Sequence, residues 1–588
     1  MSINYQHKPR FSCYRKPAAS NLLHVLIFLA IYLISVNSYS QLNQLGYPFF
    51  RNYSSKEYNA QDMNYAVVMD SRGIVYFGNT DKGVIKYDGT SWQHIPVSNN
   101  SACKSLAVDS NDIVYVGAVG DFGYIAPDKF GISRFHSLIH LTDTTENKIS
   151  NIWKTYVTKN GVYFCSVKKL YHFKYPEYLE TIDLPEGSFF SFSINNKIIV
   201  GNWQLGMLEL KNSKAEVMQG IEALIDQDIL QVIPYRANQW LVVTYNGLYI
   251  YDLVEKKASF FTGQKYLDNT NSELSNSRPY NATTLGEAGF AFATINNGIL
   301  ISDKKARLFE NYNISTGLIN ETASDVFYSA SQGVLWSTFE TGISRIEIGS
   351  PFRIFGKVSN LNGTVLSATR FENTLYVGTY TGAFYLTFNE NGLPWFKEIN
   401  QLESKFVNVL QIIDVGDGKQ KLIACASDDL YEIKGHDAVP LGAKDIITYS
   451  AVTSKSQPGT FYIGCSKGIR KVQWKNGSWS IESIPGVEYE IFALTEDHKG
   501  YVWAASTIYG IFRVSPDNKV VQFTKKDGLP SNSDLTVNFF SQKTKLLIGS
   551  RLGLYEYNYD KNTFFRSSVL TGPAYENAHV KSISNGYL

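Results

Sequence analysis

Few side chains in this sequence stand at spacings that would let them react. His136 and His140 are four residues apart, but no Glu follows the first His, and the intervening Leu138-Ile139 reads as strand or loop rather than as a metal-binding helix. A Gly-x-Ser-x-Gly elbow, a glycine-rich phosphate loop and a Cys-x-x-Cys pair are all missing, so no metal and no other cofactor is expected. Arginines such as Arg278, Arg345, Arg353 and Arg370 are scattered rather than gathered. What remains is binding chemistry. Asp81, Asp121, Trp203, Tyr245, Glu340, Tyr380 and Tyr509 each fall in a short turn between two apolar runs. Aromatic faces beside carboxylates can stack sugar rings and hydrogen-bond their hydroxyls, whereas the same side chains could instead pack between neighbouring structural units.

The elements that position these turns are set by a recurring phrase. Its clearest copy runs from Gly333 to Ile346: Gly, then Val-Leu-Trp-Ser-Thr, a polar turn, Gly342 and Ile-Ser-Arg-Ile. Copies begin at Gly73, Thr374, Thr460 and Lys545, and weaker ones near Asp112, Gly161, Lys197, Trp240, Gly289, Lys421 and Gly500. Twelve copies at about 36 to 49 residues give the period of a four-stranded propeller blade. After three large β-formers a residue stays small, among them Gly78, Gly117, Gly201, Thr244, Thr294, Ser337, Gly378 and Gly464, as close approach by a neighbour would demand. A Gly then opens the next strand in most copies, including Gly83, Gly123, Gly247, Gly342 and Gly510; Lys169 and Asp429 stand there instead, so those two hairpins should turn differently. The phrase predicts strands b and c of each blade, and brings the seven candidate residues to the b–c hairpins, on one face around an axis.

Propellers close rings of about four to eight blades, so twelve units need two rings. Seven phrases end at Ile348, and Gly349-Ser-Pro-Phe-Arg-Ile-Phe echoes Pro48-Phe-Phe-Arg-Asn-Tyr before the first phrase. The expected fold is therefore all-β, with two consecutive β-propellers: a seven-bladed one over 41–350, and a second over 351–588 with five full blades and a partial sixth. On this reading Phe49 to Tyr53 closes the first ring, Phe352 to Phe355 opens the second, and the second is incomplete at Leu588, where the sequence reads as cut short.

Composition agrees. Aromatics make up 14% with 39 Tyr and 44 Gly, which suits all-β repeats and argues against helical bundles. A net charge of +2 without charge blocks gives no reason to expect nucleic acid. Lys8, Arg10, Arg15 and Lys16 precede an apolar run from Leu22 to Val36 and then Ser38-Tyr39-Ser40, the layout of a secretory leader over 1–40. The run is short for a membrane span. Cys165, Cys425 and Cys465 lie in or beside the small column and read as core residues, Cys103 is isolated, and Cys13 belongs to the leader.

Two copies carry a more specific lead-in, Gly528-Leu-Pro-Ser-Asn532 and the shortened Gly317-Leu-Ile-Asn320. With the Gly-x-Leu-Trp phrase and the opening Phe50-Arg-Asn-Tyr-Ser, they make residues 48 to 588 resemble the two-component regulator propeller repeat of Bacteroidetes-type receptors. The resemblance implies the periplasmic ligand-sensing region of such a receptor, with an oligosaccharide or other small molecule as partner and no nucleic acid. In the family a three-tyrosine module, a membrane helix and a kinase or DNA-binding output usually follow, and none is found in this sequence. Homodimerisation would belong to the full-length receptor, and membrane association would come only from a missing C-terminal helix or an uncleaved leader. The acidic turn Asp70-Ser-Arg-Gly is similar to the Asp-box turns of sialidase propellers, which are structural. A secreted propeller lyase or glycosidase is the alternative, since paired carboxylates from distant blades leave no mark in sequence; a passive protein-binding scaffold is another.

Overall fold

The computed structural model describes residues 46–588 apart from 143–148, 390–392, 417, 541–543, 569–581, 584–585 and 588, so the leader expected over 1–40 lies outside the described residues. The chain divides into two compact units, Tyr47–Ile354 and a second that runs on from Phe355. Both are built from four-stranded antiparallel meanders, whose strands are lettered a to d in chain order. Among the described residues the first unit holds seven such sheets and the second five, with a short pair, Ser582–Ile583 and Gly586–Tyr587, after them.

In the first unit, sheet 1 is typical: a is Asn64–Met69, b Val75–Asn79, c Val84–Tyr87 and d Trp92–Ile95. Strand b is buried along its whole length, ending in the buried Asn79, because it has a sheet on each side of it. Strand d is the outer strand, exposing Gln93 and His94 and burying Ile95. Strand a of each sheet packs on strand a of the next, and that of sheet 7 (Ala323–Ser329) returns to that of sheet 1, which closes the ring. Sheet 7 takes its fourth strand from the start of the chain. Phe50–Tyr53 pairs with Gly342–Ile346 in the register Phe50↔Ile346 to Tyr53↔Ile343, so the first and last blades are tied by backbone hydrogen bonds. Asn52 adds two side-chain bonds, donating to the Gly317 carbonyl at 2.8 Å and accepting from the Ser344 hydroxyl at 2.7 Å.

The repeated glycines explain themselves at two places. A Cβ on Gly117 would stand 2.3 Å from Ser105 Oγ and 2.7 Å from Thr155 Oγ1, so the position stays small because the neighbouring a strands come this close. Gly342 opens strand c at φ 105°, a left-handed conformation that its hairpin requires. The pairing also amends the sequence alignment. Val243, Ala293 and Thr338, one residue from Thr244, Thr294 and Ser337, stand where Gly78 and Gly117 do in their sheets. In sheet 2 the hairpin is closed by Asp121, whose carbonyl accepts from Ala118 N at 2.9 Å, while Gly123 lies inside strand c opposite Val116. Gly123 is glycine for another reason: its Cβ would meet the His136 carbonyl oxygen at 2.0 Å.

A thirteen-residue helix, Lys265–Ser277, interrupts the pattern between sheets 5 and 6. It buries Leu267 and Leu274, and its Asn271 accepts from Leu248 N at 2.9 Å and donates to the Phe261 carbonyl at 2.9 Å. No helix among the described residues is long and apolar enough to cross a membrane. The acidic turns are structural: Asp70 accepts from Arg72 N and Ile74 N at 3.0 Å each, and Asp497 accepts from Lys499 N, Tyr501 N and the Trp503 indole.

The unit boundary falls a few residues beyond Ser350. Ile354 exchanges both backbone hydrogen bonds with Tyr47, at 2.9 and 2.7 Å, which keeps Phe352 to Ile354 with the first unit. Phe355 belongs to the second, where its ring meets Phe396 edge-on at 5.3 Å.

Candidate ligand-binding cavity

A feature shared by most a strands positions the site. Where strand a begins, one residue drops out of the ladder: Asn64 pairs with Asn79 but Ala66 already pairs with Gly78, so Tyr65 is a bulge. The same step leaves out Lys104, Leu230, Tyr280 and Ser324, and one extra residue at Phe189-Phe190. A bulge re-aims its side chain and is found beside binding sites. Because strand a starts next to the end of strand b, these residues ring the axis at the b–c hairpin end.

Below them is a cavity of about 200 Å³ lined by sheets 1, 2, 3, 5, 6 and 7. Its wall carries Tyr65 and Trp153, two lysines, Lys104 and Lys154, and one carboxylate, Asp325. The Lys104 ammonium sits 3.3 Å from the centroid of the Tyr65 ring and 5.4 Å from that of Trp153; Lys154 lies 5.9 Å from that of Phe190, whose ring meets Tyr280 edge-on at 6.2 Å. The amide Nε2 of Gln231 donates to Asn281 Oδ1 at 2.7 Å, and Asn281 in turn donates to Asp325. Asp325 also accepts from Val67 N and Val326 N, each at 3.0 Å, so this belt ties sheets 5, 6, 7 and 1. On the other side Ser105 and Thr155 hydroxyls meet at 2.7 Å, and the Tyr156 hydroxyl donates to the Ser191 carbonyl at 2.8 Å.

Burial acts on both charges. It pushes the Asp325 carboxyl up, against the pull of Lys154 and the hydrogen bonds it accepts, and it pushes the Lys154 ammonium down despite Asp325. Tyr156 is raised well above its usual value by the same desolvation.

The seven hairpin residues singled out in the sequence are dispersed. Tyr245 is not among the residues that line the cavity; Arg278 lies over its ring at 5.5 Å. Asp121 is 3% exposed and spends its carboxylate on Phe122 N and the Ser137 hydroxyl. Asp81 accepts from Gln61 N at 3.1 Å and pairs with Lys82. Trp203 is 43% exposed, and Glu340 is exposed beside the Thr322 carbonyl that its backbone N–H meets. In the second unit Tyr380 is 61% exposed and lies 6.2 Å from Phe406, and Tyr509 stacks on Tyr489 at 3.7 Å. A second stacked pair there, Tyr449 on Phe492 at 4.3 Å, also uses bulged residues of strand a. The two histidines do not converge: His136 stacks on Tyr124 and His140 Nδ1 meets the Ser137 carbonyl.

The cavity residues Tyr65, Lys104, Trp153, Lys154 and Asp325 were missed in the sequence. The available signal was variability: the position before the alternating part of strand a changes type from copy to copy, whereas the phrase itself does not.

No protein-family model and no curated protein matches the sequence. Among solved structures, the chain is similar to the extracellular domain of what is described as a hybrid two component system from B. thetaiotaomicron, at 15% identity and a TM-score of 0.65, over 92% of this chain and 75% of that one. The overlap with a second extracellular domain from the same organism, described as belonging to a one component system, has a TM-score of 0.42 at 16% identity, over 92% of this chain and 76% of that one. Virginiamycin B lyase from Staphylococcus aureus overlaps 50% of this chain and 98% of its own at 14% identity and a TM-score of 0.39. The chain thus has an all-β propeller fold similar to that of the first of these extracellular domains.

Proposed function

We propose that the chain is the periplasmic ligand-sensing region of a bacterial two-component-type receptor, and that it binds an oligosaccharide or other small molecule in the axial cavity of the first ring. The observation that carries this reading is the cavity itself. Side chains from six sheets converge on it, aromatic residues are turned toward its mouth by backbone bulges, and its polar belt is held by hydrogen bonds between blades. The sensor role rests on the fold likeness to an extracellular receptor domain and on the repeat resemblance. Glycoside hydrolysis is less well served, since it uses two carboxylates and Asp325 is the single one lining this cavity.

A glycan array probed with the purified chain tests the binding reading. Retention of one class of oligosaccharide, abolished by Tyr65→Ala together with Trp153→Ala in a folded protein, is the expected result; binding unaffected by both changes would contradict it. Export is tested separately. Mass spectrometry of the chain recovered from a periplasmic fraction is expected to find the N-terminus at Gln41, and retention of Leu22 to Val36 would contradict a cleaved leader.

A further inference from the structure

We infer that the cavity selects an acidic saccharide, one carrying a carboxylate or sulfate, with Lys154 and Lys104 as its anion-binding groups. The inference rests on the proposed binding site and adds the charge of its ligand. Lys154 lies at the wall of the cavity inside the ring, and among the described residues its ammonium makes no hydrogen bond and no close ion pair, although the charge of Asp325 acts on it. Lys104 is held by ring faces alone. Asp325, the one carboxylate in the lining, acts on Lys154 through its charge but cannot balance both ammonium groups. Its oxygens are taken by Val67 N, Val326 N and the Asn281 amide, donors that stabilise its charge within the wall.

Two ammonium groups therefore share one carboxylate, which leaves one positive charge in the lining unbalanced. A cation held away from water without a partner is costly, and a bound anion would remove that cost, whereas a neutral ligand would leave it or deepen it. The aromatic faces of Tyr65 and Trp153 argue that the anion is borne on a ring that stacks, not free in solution. The bulge that frees Lys104 from the ladder is what lets its stem reach back over Tyr65.

Titration calorimetry of the purified chain with trigalacturonate, a sulfated disaccharide, neutral galactotriose and inorganic sulfate alone tests this. Trigalacturonate or the sulfated disaccharide is expected to bind, with affinity falling as salt rises, and the pattern between those two assigns carboxylate or sulfate. Lys154→Met and, as a second variant, Lys104→Gln are expected to weaken that binding about ten- to hundredfold, the loss of one charged hydrogen bond. Thermal unfolding of each variant checks that it is folded. Equal binding of galactotriose, or acidic binding that both folded variants retain, would overturn the inference and leave the saccharide reading standing. Binding of inorganic sulfate as tight as that of the sulfated disaccharide would also overturn it. Binding of none of the four, with a glycan array equally empty, would remove the saccharide reading and this inference with it.

Discussion

At the scale of single residues, side chains are used in two ways, and burial separates them. The four described cysteines are buried, and desolvation pushes the thiols of Cys103, Cys165 and Cys425 up to about 12. All four are expected to resist a thiol reagent such as iodoacetamide in the native chain and to react at once in denaturant, as followed by mass spectrometry. Cys103, isolated in the sequence, is placed by the fold: it begins strand a of sheet 2, and a Cβ on Gly78 would lie 2.9 Å from its sulfur. Lys154 shows the other use. The groups that act on it are Asp325 and Cys165 through their charge and the Phe190 ring at 5.9 Å, and it shares the cavity wall with Lys104, Tyr65, Tyr156 and the neutral amides Gln231 and Asn281. Its charged form is disfavoured by burial, so binding of an acidic ligand should fall as pH rises through a Lys154 pKa below the ordinary lysine value of about 10.4. Protonation of Asp325, whose pKa is raised, removes a negative charge, so the same affinity should climb as pH falls through that value. Calorimetry across pH on the wild type and on Lys154→Met checks both signs, and a flat profile in the wild type would contradict them.

At the scale of elements, the phrase made strands b and c legible because their residues obey one rule in most copies: apolar, β-forming, then small. The physical cause is the neighbouring blade. Gly117→Ala would press a methyl onto Ser105, Ile152 and Thr155, and overpacking of this kind costs about 1–3 kcal/mol. The denaturation midpoint should drop accordingly. Gly356→Ala, where nothing lies within 4 Å and the backbone is extended at φ −160°, should change stability by less than about 0.5 kcal/mol. Strand a was legible as a strand but not in its register. A bulge is one residue left out of a ladder, and nothing in Asn64-Tyr65-Ala66 or Pro279-Tyr280-Asn281 announces which residue is omitted. The hairpins were therefore the only visible candidates, whereas the cavity is lined by residues at and near the start of strand a. The one-residue slip at Thr244 and Thr294, and the choice of Gly123 over Asp121, have the same origin: composition marks a turn but not the hydrogen bond that closes it.

At the scale of the whole molecule, the first unit is a ring whose last sheet is completed by its first strand. Removing Tyr47 to Tyr53 would expose the edge of Gly342–Ile346 and unstack Tyr53 from Trp336. Hydrogen exchange in that truncated chain is expected to show lost protection at Gly342–Ile346 and then in the a strands of sheets 1 and 7, while the sheets of the second unit keep theirs. Closure matters to function because the cavity has no wall of its own: Tyr65, Lys104, Lys154 and Asp325 come from four different sheets and meet only in a closed ring. The most direct test of the account is oxidative footprinting of the intact chain with and without the oligosaccharide that the array selects, read residue by residue. Protection of Tyr65, Trp153 and Tyr280, with Tyr489 and Tyr509 of the second unit unchanged, is the predicted result. Protection confined to Tyr489 and Tyr509, with Tyr65 and Trp153 as reactive as in the free protein, would contradict it.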